Sequence, residues 1–172
     1  SSSSFSVGLL NSFLSKNKQI SKKNLSEKAI YLEQRILKES VGIQDQIRAA
    51  YGGMGFINMS KDKFHVNNLK DDSAQVKEIE DSIILVYTDL SRNASEIEAV
   101  KIKNLKKNKK TFNNMKFIYD VACEAEKNLL SKNFNLNEIG SLLSEQWKYK
   151  KKLSHNISNK KIDDIYDAII ND

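Results

Sequence analysis

The 172-residue sequence predicts an α+β fold that is helix-rich in its second half, on three observations. Residues 52–69 combine three glycines with two strand-patterned stretches around a short polar turn. Residues 83–87, Ile-Ile-Leu-Val-Tyr, form a continuous apolar run. Most of the remaining chain carries apolar residues at helical spacing.

The elements follow in order. Four serines at 1–4 lead directly into Phe5, Val7, Leu9, Leu10, Phe13 and Leu14, a loop delivering a helix with serines at its N-cap end. Residues 21–24 read as a turn. Residues 25–38 place Leu25, Ala29, Leu32 and Ile36 at a helical period. Residues 40–45 break that pattern, and 46–51 make a short helix. Residues 54–59 fit a strand, Lys61, Asp62 and Lys63 a hairpin turn, and 64–69 a second strand. Charged residues 70–80 make a linker or short helix. The run 83–87 predicts a buried strand. Beyond Ser91 three helical stripes succeed one another: Met115, Ile118, Ala122, Ala125 and Leu129; then Ile139, Leu142, Leu143, Trp147 and Leu153; then Ile162, Ile165, Tyr166 and Ile169. Asn-containing breaks at 133–137 and 156–159 separate them. A soft boundary near residue 80 divides the chain into 1–80 and 81–172.

Composition narrows the function. Apolar residues make up 40%, enough for a sizeable core. No apolar run approaches the roughly 20 residues that span a bilayer, so no membrane partner is expected. Residues 1–5 lack the basic start of a signal peptide, and the single cysteine, Cys123, excludes an internal disulfide framework, which together predict a cytoplasmic protein. The net charge of +6 suits anionic substrates. Lys101, Lys103, Lys106, Lys107, Lys109 and Lys110 crowd one segment. As a nucleic-acid surface it lacks interleaved aromatic residues, and a solvated helix face accounts for it better. His65 and His155 are isolated, and neither belongs to a metal cluster.

Three groups of residues can carry chemistry. Ser1, Ser2, Ser3 and Ser4 at a helix start offer backbone N–H groups, a helix dipole and hydroxyls to a phosphate, or an oxygen to magnesium; on local evidence alone a polar terminus accounts for them better. Asp45, between Gln44 and Gln46 and just after Gly42, suits accepting or orienting a hydroxyl proton; taken alone, a helix N-cap accounts for it better. Glu33, twelve residues earlier, becomes a metal ligand only if it faces inward.

Taken in order, these segments resemble the GHMP superfamily of small-molecule kinases, and within it the bacterial heptose-phosphate kinases. Residues 1–11 resemble the tail of the motif Pro-x-x-Gly-Leu-Gly-Ser-Ser-Ser-Ser. Residues 42–46 and 50–53 resemble the segment bearing the catalytic aspartate. Val86-Tyr-Thr88 followed by Arg92-Asn-Ala-Ser95 is similar to Tyr-Thr-Gly-x-x-Arg-x-x-Ser. Trp147, with Lys150 and Lys151, is similar to a Trp-x-x-Lys-Lys helix. Departures stand at Ile43 and Asp89, where the family has Lys and Gly, and at Ile47 and Arg48, where an aromatic and a small residue are common.

The resemblance implies a GHMP-kinase-like two-domain fold, incomplete at both ends. Residues 1–80 would close its ATP-binding domain, and 81–172 would form part of the second. It implies ATP and Mg2+ as cofactors and a nucleotide and a sugar phosphate as binding partners. Asp45 is the implied catalytic group, Ser1 to Ser4 the phosphate contacts, and Ser2 and Glu33 the metal ligands. Gln46, Tyr51, Gly52 and Arg92 are the implied sugar-phosphate contacts. The implied reaction phosphorylates a sugar hydroxyl, the anomeric one of a heptose 7-phosphate. With half the phosphate loop and the glycine-rich third motif outside these residues, the polypeptide alone is expected to be inactive. Another GHMP sugar kinase, of galactokinase or fucokinase type, is the alternative within the class. A basic helical nucleic-acid-binding or interaction module is the alternative outside it.

Overall fold

The computed structural model describes residues 2–16, 19–61, 63–90 and 94–171. The chain forms two compact units, Ser1–Val76 and Lys77–Asp172.

In the first unit, α1 (Ser2–Leu14) turns Ser3, Ser6 and Val7 inward. Val7 joins Leu25 and Ala29 in a small core, with Leu10, Ile20, Ala49 and Ala50 packed around it. Phe5, Leu9 and Phe13 fall on the opposite, exposed stripe. The next helix, α2 (Lys22–Tyr31), begins earlier than its apolar pattern indicates, because the Ser21 hydroxyl accepts the Asn24 N–H as an N-cap. Residues 21–24 are therefore a helix entry and not a separate turn.

Burial along α2 follows a spacing of four, Leu25, Ala29, Glu33, and that stripe ends on a carboxylate. Past Tyr31 the helix widens into a π-helical turn, Leu32–Ile36. The Leu37 N–H reaches back five residues to the Leu32 carbonyl at 2.9 Å. One extra residue shifts the helical phase by about 100°. Ile36, expected on the apolar stripe, is accordingly exposed. The Gln34 amide then donates to the Val41 carbonyl at 2.8 Å and ties down the loop into α3 (Gln44–Tyr51).

Gly52 and Gly53 end α3 with φ of 67° and 64°, a left-handed pair that side-chain-bearing residues adopt only with strain. They turn the chain into the hairpin β1 (Gly55–Ser60) and β2 (Lys63–Asn68), antiparallel, with Gly55 opposite Asn68 and Ser60 opposite Lys63. Both strands lie within a residue of their expected positions. At Gly55 a Cβ would stand 2.2 Å from the Asn67 carbonyl oxygen and 2.7 Å from Asn68 Cα, both backbone atoms. Gly55→Ala is therefore expected to part the base of the hairpin, at about 1–3 kcal/mol. Faster hydrogen exchange at Leu69, whose N–H donates to the Met54 carbonyl, reports the parting; wild-type protection there would exclude it.

The divide between units falls inside α4 (Ala74–Ser82), which occupies the expected linker. Residues 83–87 are not the buried strand their composition predicts. They have no regular secondary structure, and Ile84, Leu85 and Tyr87 are 86%, 95% and 87% exposed. An apolar run becomes a buried strand only where neighbours complete the ladder and cover both faces. Among the described residues the one sheet is the β1–β2 hairpin, so nothing in the second unit supplies those neighbours.

The second unit continues with α5 (Ala94–Lys107), α6 (Lys109–Leu130), α7 (Leu136–Lys151) and α8 (Lys160–Asn171). Asn108 breaks the lysine-rich segment by capping α6, so its lysines do not share one helix face. Asn128 joins α6 to α7: its amide donates to Glu138, and its side-chain oxygen accepts the Asn135 N–H. Phe117 and Tyr149 stack across the same pair at 3.8 Å. Lys151 bonds Asp163 at 3.0 Å and lies over the rings of Trp147 and Tyr166. The Lys151 bond, with a second from Ser158, holds the Asp163 carboxyl below the usual carboxylate range. Lys151 thus links α7 to α8. Trp147 and Cys123 are half-buried. Among the described residues no helix is long and apolar enough to cross a membrane.

Candidate active site

The residues singled out in the sequence divide into those the fold gathers and those it leaves apart. At the amino end of α1, Ser3 is buried and its hydroxyl donates to Glu33 Oε2 at 3.0 Å. Gln46, in the first turn of α3, donates to the same oxygen through Nε2. The start of α1, the π-helical turn after α2 and the start of α3 therefore meet on one carboxylate.

Glu33 and Gln46 are each 1% exposed. Glu33 faces inward, the condition for its acting as a metal ligand. The helical repeat explains the placement, since Glu33 follows Leu25 and Ala29 on the inward stripe of α2. The π turn begins at that point and lets the chain leave the stripe. Two oxygens of the cluster, Glu33 Oε1 and Gln46 Oε1, are buried with no hydrogen-bond partner. Burial without a partner costs about 1–3 kcal/mol per group. The two donors of the cluster, Ser3 Oγ and Gln46 Nε2, are directed at Oε2.

Magnesium takes oxygen ligands and uses one or two carboxylates alongside substrate phosphates. One buried carboxylate, one carboxamide oxygen and a serine hydroxyl fit that demand. Among the described residues no group of three or more His, Cys, Asp or Glu comes together, so a site built only from those ligands is absent there.

Asp45 is exposed and makes no hydrogen bond or ion pair among the described residues. Its neighbour Gln46 is the residue of that turn anchored in the cluster. The Ser3 hydroxyl and Glu33 meet, and the third partner they share is Gln46, not Asp45. Ser2 and Ser4 are exposed in the first turn of α1. The Tyr51 carbonyl accepts Lys22 Nζ at 2.7 Å, and its ring meets Phe64 edge-on at 6.4 Å. The exposed Gly52 accepts Asn68 Nδ2 through its carbonyl at 3.2 Å. Arg48 donates to Asn68 at 3.0 Å. Ser1 and Arg92 lie outside the described residues.

Sequence reasoning missed Gln46 as a partner of Glu33, and Ser3 as the hydroxyl that reaches it. The signal for Ser3 was its place with Val7 and Leu10 at spacings of four and three, the inward face of α1. Gln46 had a weaker one, its adjacency to the fully buried Ile47.

Comparison with known proteins points to a kinase at a distance. The chain is 28% identical over 171 residues to D-glycero-alpha-D-manno-heptose 7-phosphate kinase of Campylobacter jejuni. The match covers 98% of this chain and 50% of that enzyme, so the chain spans about half the length of the curated relative it matches. No protein-family model and no solved structure matches it.

Proposed function

We propose that this chain serves the ATP-dependent phosphorylation of a sugar hydroxyl, with the anomeric hydroxyl of D-glycero-D-manno-heptose 7-phosphate as acceptor. One observation carries the reading: the amino end of α1 and an inward glutamate share a hydrogen bond at the foot of the helix that presents Asp45. The similarity to a heptose 7-phosphate kinase supports the substrate.

In this reading the first-turn N–H groups of α1 and the exposed hydroxyls of Ser2 and Ser4 hold the nucleotide phosphates. Glu33 holds magnesium, which when bound neutralises phosphate charge. Asp45 takes the proton from the sugar hydroxyl as its oxygen bonds to the γ-phosphorus and the bond to ADP breaks. Exposure of Asp45 agrees with this role, because a base must stand where a substrate can reach it. Tyr51 and Gly52 line the sugar side.

The test is a coupled ADP-release assay on the whole protein that carries this chain, with heptose 7-phosphate, galactose and fucose as acceptors. ADP release and a bisphosphate product with the first alone are expected. Turnover with another sugar would move the substrate, and none with any would refute the sugar-kinase reading.

A further inference from the structure

We propose that Gln46 is a metal-side residue and not a sugar contact: it locks one oxygen of Glu33 and offers its own carboxamide oxygen as a second protein ligand for a hard divalent cation. The proposal rests on the sugar-kinase reading for its purpose, though its geometry stands alone.

Two donors, Ser3 Oγ and Gln46 Nε2, converge on Glu33 Oε2. Both leave Oε1 untouched. The orientation of the Gln46 amide follows, since turning it over would set Oε1 against a carboxylate oxygen. Gln46 Oε1 is therefore not the atom that faces Oε2, and it too is buried without a partner. A role in packing alone asks for an apolar side chain at this position. A role as a simple hydrogen-bond bracket for Glu33 explains Nε2 and leaves Oε1 unexplained. A cation accounts for both orphaned oxygens at once, because it is attracted to acceptors that have no donor. Gln46 then resembles an outer partner that orients a ligand and also becomes one.

The experiment is a titration of the full chain with Mn2+ alone, followed by the paramagnetic resonance signal of free Mn2+, with circular dichroism as the check on folding. Wild type is expected to bind and Glu33→Gln to lose binding. Gln46→Met keeps the length of the side chain and removes both polar atoms, and it is expected to weaken Mn2+ roughly 10–100-fold. Gln46→Glu sets a second carboxylate beside Glu33; its Tm is expected to rise more on adding Mn2+ than that of wild type. Wild-type affinity in Gln46→Met would overturn the proposal even if Glu33→Gln abolished binding. Absence of Mn2+ binding in wild type would overturn it as well. Should Gln46→Met fail to fold, the Tm of Gln46→Glu decides, and no rise with Mn2+ rejects the idea. Intact Mn2+ binding without sugar phosphorylation would reject the kinase reading and leave this one standing.

Discussion

Asp45→Asn is expected to lower turnover by about 10²–10⁴-fold with no measurable change in fold. Asparagine keeps the size and one acceptor oxygen of aspartate but cannot take a proton at neutral pH. The magnitude therefore separates two roles. If Asp45 only orients the sugar hydroxyl, the Asn oxygen still accepts that hydrogen bond, and the loss stays near tenfold, about the difference between a charge-assisted and a neutral hydrogen bond. If Asp45 removes the proton, the loss exceeds a hundredfold. Stability stays nearly level, because the carboxylate is exposed and engages nothing among the described residues. The contribution at risk is its attraction to the amino end of α3, about 0.3–1 kcal/mol. Steady-state rates of the whole protein, read beside a thermal melt, measure both. Unchanged turnover would remove Asp45 from the chemistry.

The parts of this molecule that its sequence made legible are those set by local rules. The hairpin was legible because glycines and a polar turn bracket two short strands, and backbone pairing does the rest. The last three helices were legible because their stripes repeat at 3.6 residues and Asn-rich breaks part them. Residues 83–87 were misread for a reason local rules do not contain. A strand is completed by its neighbours, and the described residues of this unit offer the run none. The candidate site was half legible. Glu33 was singled out, yet its inward face depended on which stripe of α2 the core selected. Ile36 competed for that face, and the π turn decided against it. Asp45 drew notice as the charged residue of its segment, while the contact that fixes the segment is made by the uncharged Gln46. An amide signals neither hydrophobicity nor charge, so only the packed structure could reveal it.

Glu33→Gln is expected to divide stability from function in the opposite sense to an ordinary core substitution. Removing a buried residue that accepts two hydrogen bonds would usually destabilise the fold. Glutamine at 33 keeps a carbonyl oxygen able to accept from both Ser3 and Gln46, and it removes a negative charge that has no cationic partner among the described residues. Desolvating such a charge costs several kcal/mol even after relaxation. Metal-free Glu33→Gln should therefore melt no lower than metal-free wild type. The divalent cation reverses the order. Wild type should gain about 2.7 kcal/mol at a hundredfold excess of ion over its dissociation constant, and Glu33→Gln almost none. Turnover should fall at least a hundredfold, because the charge proposed to hold magnesium against the phosphates is gone. Thermal melts of both proteins with and without Mg2+, beside their rates, make the comparison. A variant that melts far below wild type without metal would show that Glu33 braces the fold. A variant that keeps the metal-induced rise would show that the ion is held elsewhere.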